Sequence, residues 1–337
     1  MAGHSFSILG TSRWGMGAGI LLIVGAAVLP LFFALTAHAE YLQYTVVRMM
    51  ILGLYAMSFD LLFGFTGIFS FGHAAAFGAS AYASAILFTR FKIADPILVI
   101  AGGLVLAVII SAIVGYLSSR VGNVAVFLVT FASTEVMQLI AFSNPWNLTN
   151  GENGISGIQR MAILGLAPIK AELNFYYFTL IVLALSYFIL RKIVSSPLGD
   201  VFQGIKGNAE RVRFLGYNVE QCKVASFSIS GLFAGLAGSL NALHEGTVAP
   251  EVLSWFFSGD AVLFTVLGGP GTLLGPILGA SIIVLVQEIL SDIFREWLVF
   301  VGISYVILIL FLPKGLFRIF SEIGKKNIPV GSSKVSK

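Results

Sequence analysis

Charged side chains are scarce in this chain. Asp, Glu, Lys and Arg together make up 11% of its 337 residues, whereas a soluble domain has about 25%. Hydrophobic residues make up 57%, and the mean hydropathy is +0.94. A soluble protein of this size could not bury so much apolar surface, so the composition indicates an integral membrane protein. The net charge of +4 is small, and the basic residues lie at the ends of apolar runs and in loops, which favours membrane topology over nucleic-acid binding.

The chain also lacks the residues that most catalytic and metal sites need. It has a single cysteine, Cys222, which excludes an internal disulfide and a cysteine metal cluster. Its four histidines are too scattered for a metal site. Neither the phosphate loop G-x-x-x-x-G-K-S/T nor the nucleophile elbow G-x-S-x-G occurs. We therefore expect no catalytic residue, no metal and no cofactor bound by this chain.

Apolar runs of about 20 residues, separated by polar breaks, predict membrane-spanning helices. We place ten of them, with eight or nine as open alternatives, because the eighth is short and only Gly268-Gly-Pro-Gly-Thr272 separates it from the ninth. This glycine-rich break contains proline and lies between apolar runs, so it favours a helix break over a phosphate loop. The predicted fold class is an all-α polytopic membrane protein with glycine-broken segments. The predicted spans are 17–37, 44–63, 69–89, 96–117, 122–142, 174–192, 223–243, 255–268, 272–290 and 297–312.

The distribution of lysine and arginine predicts the orientation of the spans. Basic residues concentrate between the sixth and seventh spans and in the tail, so we expect both termini in the cytoplasm. Arg90 and Lys92 fall on the outer side and argue weakly against this orientation. The predicted organisation is a cytoplasmic N-terminus (1–16), a transmembrane domain (17–312) with an external loop (143–173) and a cytoplasmic loop (193–222), and a basic cytoplasmic tail (313–337).

The segment from Asp60 to Gly78 is polar and rich in glycine, although it lies inside a very apolar region. An ionisable group in hydrocarbon is costly and usually faces a protein interior or a water-filled path, and glycine allows a helix to break where a cavity is lined. The segment therefore predicts a route for a polar solute. The alternative is that a neighbouring helix satisfies each polar group, which then holds the packing. The residues predicted to line or gate the route are Asp60, Gly67, Ser70, Gly72, His73 and Glu135.

The cytoplasmic loop between the sixth and seventh spans has the pattern of a short amphipathic helix. Ser196 can cap a helix and Pro197 suits its first position, whereas Gly216 is typical of a stop. Charged residues, Lys206 among them, lie on one face. Three glycines, including Gly199, each cost such a helix about 1 kcal/mol relative to alanine, so we expect it to dock on its own bundle or on another protein. Apolar residues recur at spacings of three and four, at Phe202, Ile205, Ala209 and Val212.

Small residues predict close helix packing in the seventh span. Gly231, Gly235 and Ser239 follow a small-xxx-small pattern, which fits a contact within the chain or with a second subunit. The order of glycines in Gly67, Gly72 and Gly78-Ala-Ser80 also recurs, with different gap lengths, in Gly271, Gly275 and Gly279-Ala-Ser281. The sequence therefore suggests a two-half internal repeat of the kind that transporters use.

Five sequence blocks, in order between about Ile51 and Phe317, resemble the membrane permeases of ABC-type branched-chain amino-acid importers, of the kind that pairs with a second, related permease. Their number and order make the resemblance specific for the family. The blocks are Phe59-Asp-Leu-Leu-Phe-Gly-Phe-Thr-Gly-Ile-Phe-Ser-Phe-Gly-His73-Ala, Asn150-Gly-Glu-Asn-Gly-Ile-Ser-Gly157, Ser196-Pro-Leu-Gly199 continuing to Leu215-Gly-Tyr-Asn-Val219, Ala234-Gly-Leu-Ala-Gly238, and Gly268-Gly-Pro-Gly-Thr-Leu-Leu-Gly-Pro276.

The resemblance implies a multi-subunit importer in a bacterial cytoplasmic (inner) membrane. Two permease chains would form the pore, two cytoplasmic ABC ATPases would bind ATP and magnesium, and a soluble binding protein would deliver the solute from outside. The loop after Ser196-Pro197 would contact the ATPase. Such permeases usually carry Arg-Glu or Arg-Asp where this chain has Gly207-Asn208, so a charge contact is missing here, and Glu210 and Arg211 are the candidates to replace it. The predicted coupling residues are Ser196, Pro197, Gly199, Phe202, Ile205, Ala209, Glu210, Arg211 and Gly216.

Other functions stay open at this point. An ABC permease for urea or short amides would differ in the solute that its binding protein selects. An ion-coupled secondary transporter would need no ATPase. A channel or a membrane enzyme is disfavoured by the coupling loop and by the lack of a catalytic constellation.

Overall fold

The computed structural model describes residues 13–33, 38–93, 95–160, 162–163, 167–168 and 172–293, together with residues 299 and 302. Within these residues the chain is a bundle of α-helices with two short antiparallel ladders. Strand β1 (Ile155–Ser156) pairs with β4 (Thr247–Val248), and β2 (Ala162–Ile163) pairs with β3 (Ala167–Pro168). The helices are α1 (Arg13–Phe33), α2 (Ala39–Asp60), α3 (His73–Thr89), α4 (Pro96–Ser119), α5 (Asn123–Ser143), α6 (Glu172–Val194), α7 (Pro197–Phe214), α8 (Val219–Glu245), α9 (Trp255–Gly268) and α10 (Leu274–Ile293).

Nine of the ten predicted spans coincide with an α-helix, in chain order α1 to α6 and α8 to α10. Six helical segments are long and apolar enough to cross a membrane, and two further apolar helices, Gly19–Phe33 and Trp255–Gly268, are shorter. These helices confirm the prediction of an all-α polytopic membrane protein. The number of ten spans stays a prediction, because the tenth span, 297–312, lies almost wholly outside the described residues. The internal repeat also stays a prediction.

Several boundaries differ from the predicted spans, and α2, for example, begins at Ala39 rather than at residue 44. Residues 67–72 are not helical, and α3 begins only at His73. Helix α8 begins at Val219 rather than at residue 223, because the Asn218 side chain caps it by accepting a hydrogen bond from Gln221 N at 3.0 Å. Since α6 continues to Val194, the segment between the two long helices is shorter than the predicted loop 193–222.

Helix α2 is the centre of the bundle. Every residue from Met49 to Asp60 is buried, and α2 packs against α6, α8, α9 and α10. A helix that is buried on all sides is typical of the core of a large protein. Leu52 and Ala56, for example, share an apolar cluster with Phe264 of α9 and Ala280 of α10. This enclosure fixes the end of α2, where Asp60 lies.

Small residues bring α8 against α3 and α4. An added Cβ on Gly235 would overlap the Ala107 side chain of α4, and Gly231 also faces α4. The Ser239 hydroxyl lies 2.6 Å from the Ser80 hydroxyl of α3. The small-residue stripe of α8 thus makes contacts within this chain.

A non-helical stretch leads from α8 into α9. After β4, the 3₁₀ turn Pro250–Leu253 packs against α3 and α5, and an added Cβ on Gly78 would overlap Leu253. The Ser254 side chain then caps α9 by accepting a hydrogen bond from Phe257 N at 3.3 Å. Helix α9 has 14 residues, about 21 Å at 1.5 Å per residue, so it is too short to span the roughly 30 Å of hydrocarbon alone. Non-helical backbone at membrane depth is tolerated where protein surrounds it.

The two ends of the bundle carry different structures. At one end α2 begins beside the ends of α8 and α10, where the Tyr44 hydroxyl donates to Glu245 at 2.7 Å and the Tyr41 hydroxyl donates to Glu288. Strands β1 and β4 belong to this end, since β4 directly follows α8. At the other end α2 finishes beside α7 and the turn 269–273. In the predicted orientation the first end is external and the second is cytoplasmic.

Candidate functional site at Asp60 and helix α7

The carboxylate of Asp60, the last residue of α2, is fully buried. Its Oδ1 accepts a hydrogen bond from Gly271 N at 2.7 Å, and its Oδ2 accepts from Thr272 N at 3.2 Å and from Leu273 N at 3.0 Å. Successive backbone N–H groups around one anion form a nest, and charge-assisted bonds of this kind compensate the burial of a charge. Asp60 thus fastens α2 to the turn between α9 and α10. Because both oxygens are bonded within the chain, the geometry favours a packing role over contact with a solute.

The turn 269–273 requires a special backbone. Gly269 has a φ of 109° and Gly271 a φ of 79°, a region that glycine adopts without steric cost. Leu273 has a φ of 57° although it is not glycine, and its N–H is bonded to Asp60. The Thr272 hydroxyl donates to the Gly269 carbonyl at 2.7 Å. The glycine-rich sequence is therefore a helix break, as predicted, and its amides bind a carboxylate of the same chain.

A single π-helical turn, Leu61–Thr66, continues α2 beyond Asp60. It ends at Gly67, whose φ is 76°. An added Cβ on Gly64 would overlap both Asp60 Oδ1 and Gly271 N, so glycine is needed for these elements to approach. Turns of this type are rare and occur frequently at functional sites.

Ser70, Gly72 and His73 lie around a small cavity at the start of α3, whose lining is otherwise mostly apolar. His73 Nε2 lies 2.7 Å from the Ser58 hydroxyl, and Ser70 Oγ accepts a hydrogen bond from Gly72 N at 3.1 Å. The three residues line the cavity together with Ser111 of α4. Its volume is about 10 Å³, which is near the minimum for one water molecule.

Glu135 lies apart from this cavity, on α5. One of its carboxylate oxygens is buried and has no hydrogen-bond partner within the described part of the chain. Asp60 does not line the cavity either. The structure therefore brings together Ser70, Gly72 and His73, and it places Asp60 at the turn 269–273 and Glu135 on a separate helix.

A larger groove of about 490 Å³ lies between α1, α2, α6 and α10. Its lining is almost entirely aliphatic, including Leu21, Met50 and Leu183, with Tyr187 and Ser281 as polar exceptions. An aliphatic lining offers few hydrogen-bond partners to the charged groups of a polar solute, and burying such groups without partners is costly. Among the residues that the structure describes, no group of three or more His, Cys, Asp or Glu could hold a metal ion.

Helix α7 docks on the bundle through its apolar stripe. The stripe consists of Phe202, Ile205 and Val212, which are buried, and Ala209, which is partly buried. An added Cβ on Gly199 would overlap the Val194 carbonyl at the end of α6. This glycine therefore allows α7 to begin in direct contact with α6.

Two details of α7 differ from the expected helix. Ser196 occupies the N-cap position, but its hydroxyl donates to the Ile193 carbonyl at 2.6 Å and makes no cap bond to α7. Asn208 interrupts the helix with an extended backbone, and its Oδ1 accepts a hydrogen bond from Arg211 N at 3.0 Å. Asn208 is thus the N-cap of the last part of α7. This cap gives Asn208 a structural role within α7.

The end of α7 exposes apolar side chains that are not among the predicted coupling residues. Phe214 is 89% exposed and Leu215 is 76% exposed, and Gly216 then ends the helix with a φ of 90°. Glu210 and Arg211 are exposed beside them. We name Glu210, Arg211, Phe214 and Leu215 the α7 surface. The sequence could have indicated this exposure, because Phe214 and Leu215 fall outside the spacing of the buried stripe. Exposed apolar patches of this kind mark interaction sites.

A family model described as branched-chain amino acid transport system, permease component, matches residues 41–312. The chain is 25% identical to the high-affinity branched-chain amino acid transport system permease protein LivM of Escherichia coli (strain K12) over 283 residues, which are 77% of this chain and 66% of LivM. It is 25% identical to the permease protein LivH of the same kind of system in Salmonella typhimurium over 293 residues, 78% of this chain and 90% of LivH. It is 26% identical to the ribose import permease protein RbsC of Escherichia coli (strain K12) over 200 residues, 56% of this chain and 59% of RbsC. No solved structure matches the chain significantly.

The matched region includes Asp60, the π-helical turn, the α7 surface and the turn 269–273. The family model thus covers the helices from α2 to α10, which is well over half of the sequence. The resemblance seen in the five sequence blocks is confirmed by this match. The chain belongs to the family of permease components of branched-chain amino acid transport systems.

Proposed function

We propose that the chain is a permease subunit of an ATP-driven importer of branched-chain amino acids. The observation that carries the proposal is the family match over residues 41–312. LivM and LivH are named as permease proteins of high-affinity branched-chain amino acid transport systems. The polytopic helical bundle suits a subunit of this kind, and the absence of a phosphate loop from the sequence leaves nucleotide binding to other subunits.

The solute path in this proposal forms between two permease chains. The cavity beside His73 holds about 10 Å³, far less than an amino acid needs. The similarity to both LivM and LivH supports a related permease as the second chain. The proposed path or gate residues are still Ser70, Gly72, His73 and Glu135. Asp60 and Gly67 hold the packing at the cytoplasmic end of the path.

The α7 surface is the proposed contact with the ATPase. Phe214 and Leu215 supply exposed apolar area, and Glu210 and Arg211 supply the charges that Gly207-Asn208 lacks. Two ATPase subunits would bind ATP and magnesium at this end of the bundle. A soluble binding protein would deliver the solute at the opposite end, which carries β1 and β4. The assembly would lie in a bacterial cytoplasmic (inner) membrane with both termini of this chain in the cytoplasm.

Reconstitution in liposomes tests the proposal. The chain, a related permease, the two ATPases and the binding protein are incorporated, and uptake of radiolabelled leucine is measured. We expect uptake that requires hydrolysable ATP and both permease chains. The matched control is a complex whose ATPases lack the phosphate-loop lysine.

Two results would reject different parts of the proposal. Leucine uptake that proceeds equally well without ATP, or that an ion gradient drives without ATPases, would favour a secondary transporter. ATP-driven uptake of urea or ribose in place of leucine would keep the role as an ABC permease and would reject the solute.

A further inference from the structure

A continuous set of contacts joins α7 to the turn between α9 and α10 and passes through the buried Asp60 carboxylate. The first contact belongs to Lys206 of α7, whose Nζ donates to the Gly64 carbonyl. The aliphatic stem of Lys206 lies on Gly67, where an added Cβ would meet its Cγ at 2.7 Å and its Cα at 3.1 Å. Lys206 therefore contacts the π-helical turn at two points, although the sequence places it on the charged face of α7.

The second contact lies inside the π-helical turn. Gly64 packs so closely that an added Cβ would overlap Asp60 Oδ1 and Gly271 N. The Gly64 carbonyl oxygen, which accepts the bond from Lys206, lies 3.4 Å from the position of an added Cβ on Gly271. Because packed interiors have little free space, Gly64 cannot shift far toward α2 without moving Asp60 or Gly271.

The third contact is the group of three hydrogen bonds from residues 271–273 to Asp60. These bonds hold a turn that includes Leu273 in the left-handed region, which is costly for a residue other than glycine. The turn directly connects α9 to α10, and both helices pack against α2. A change at Asp60 is thus transmitted to the connection between these helices.

We infer that Lys206 is a positioning residue of the transport cycle. Its bond to Gly64 links α7 to the Asp60 carboxylate, so that a displacement of α7 also moves the turn 269–273. This inference rests on the proposed function, in which an ATPase displaces α7. It names the residue and the chain of contacts through which a displacement of α7 would reach the turn 269–273.

Variants of Lys206 test the link in the reconstituted complex. Lys206→Met keeps an unbranched apolar stem on Gly67 and removes the donor to Gly64, whereas Lys206→Arg keeps a charged donor. Lys192→Met is the matched control, because Lys192 is an exposed lysine at the end of α6. The measured quantity is the amount of leucine taken up per ATP hydrolysed, together with co-purification of the ATPases.

We expect the Lys206→Met complex to assemble and to hydrolyse ATP. Its uptake per ATP should fall by about three- to tenfold, which corresponds to the loss of one hydrogen bond whose charged donor belongs to an exposed residue. Lys206→Arg should restore most of the ratio, and Lys192→Met should keep the wild-type ratio. An unchanged ratio in Lys206→Met, or loss of its ATPases on purification, would overturn the inference.

Hydrogen exchange of the full chain in detergent separates this inference from the proposed function. The amides of residues 271–273 should exchange faster in Lys206→Met than in wild type, and Lys192→Met should not change them. If the assembled complex fails to transport leucine but this difference appears, the proposed solute is wrong and the link stands. Unchanged exchange at residues 271–273 in Lys206→Met would overturn the link whatever the transport result.

Discussion

Replacing Asp60 with asparagine tests whether the buried carboxylate holds the fold or contacts the solute. Asparagine has one acceptor oxygen where Asp60 uses two, one for Gly271 and one for Thr272 and Leu273. Whichever way the amide is turned, its NH₂ group faces at least one buried backbone N–H. A buried donor that loses its acceptor costs about 1–3 kcal/mol.

The loss of the negative charge in Asp60→Asn also changes the free energy of unfolding. Removing a buried charge relieves a desolvation cost, but this carboxylate is compensated by three N–H groups and by the nearby Lys206 ammonium. Charge-assisted bonds are roughly twice as strong as neutral ones. We therefore expect Asp60→Asn to lower the free energy of unfolding by about 1–3 kcal/mol, the cost of at least one unsatisfied N–H.

Thermal unfolding of the purified chain in detergent is the assay, with leucine uptake measured beside it. Glu152→Gln, on an exposed loop residue, is the matched control and should change the free energy of unfolding by less than about 0.5 kcal/mol. If Asp60→Asn unfolds like wild type but loses transport, the packing argument is refuted and the carboxylate acts in transport itself. If stability and transport both stay unchanged, Asp60 has neither role.

Other variants test the α7 surface and the close helix contacts. Phe214→Ala should weaken co-purification of the ATPases without changing thermal unfolding, because this side chain is 89% exposed; undiminished co-purification would contradict the proposed contact. Gly199→Ala should destabilise the chain by about 1–3 kcal/mol through overpacking, whereas Gly207→Ala, which has nothing within 4 Å of the added Cβ, should be neutral or stabilising by up to about 1 kcal/mol. Equal unfolding temperatures for these two variants would argue against the fit of α7 on α6. Gly231→Ala should also destabilise the chain by about 1–3 kcal/mol, because the new Cβ would overlap Ser111 Oγ. Adding Ser111→Gly should restore stability. If the double variant does not recover, the strain does not arise from the contact with Ser111.

The sequence predicted the helical elements well because their signals are local. Apolar runs, flanking charges and glycine-proline breaks located nine of the helices and the break at Gly268-Gly-Pro-Gly271. The same kind of local pattern predicted the buried stripe of α7. The expected side-chain cap at Ser196 does not form. Both the end of α6 and the start of α7 lie within reach of this hydroxyl, and it donates to the end of α6.

The sequence could not show what Asp60 and Lys206 contact. Asp60 was predicted to line a path because a carboxylate in an apolar segment is unusual, but its partners are amides 211 to 213 positions further along the chain. Lys206 was placed on a charged face, and its partner Gly64 lies 142 positions away. Hydrogen bonds over such separations leave no periodic pattern in the sequence.

The sequence by itself thus determined that this is a polytopic helical membrane protein of one permease family, because composition, periodicity and motif order carry that information. The tertiary structure alone decided that one carboxylate joins α2, the π-helical turn and the turn 269–273, and that α7 reaches this junction through one lysine. The physical reason is that a buried charge must find donors wherever the packed fold supplies them, and only the packing of distant helices determines which donors are within reach.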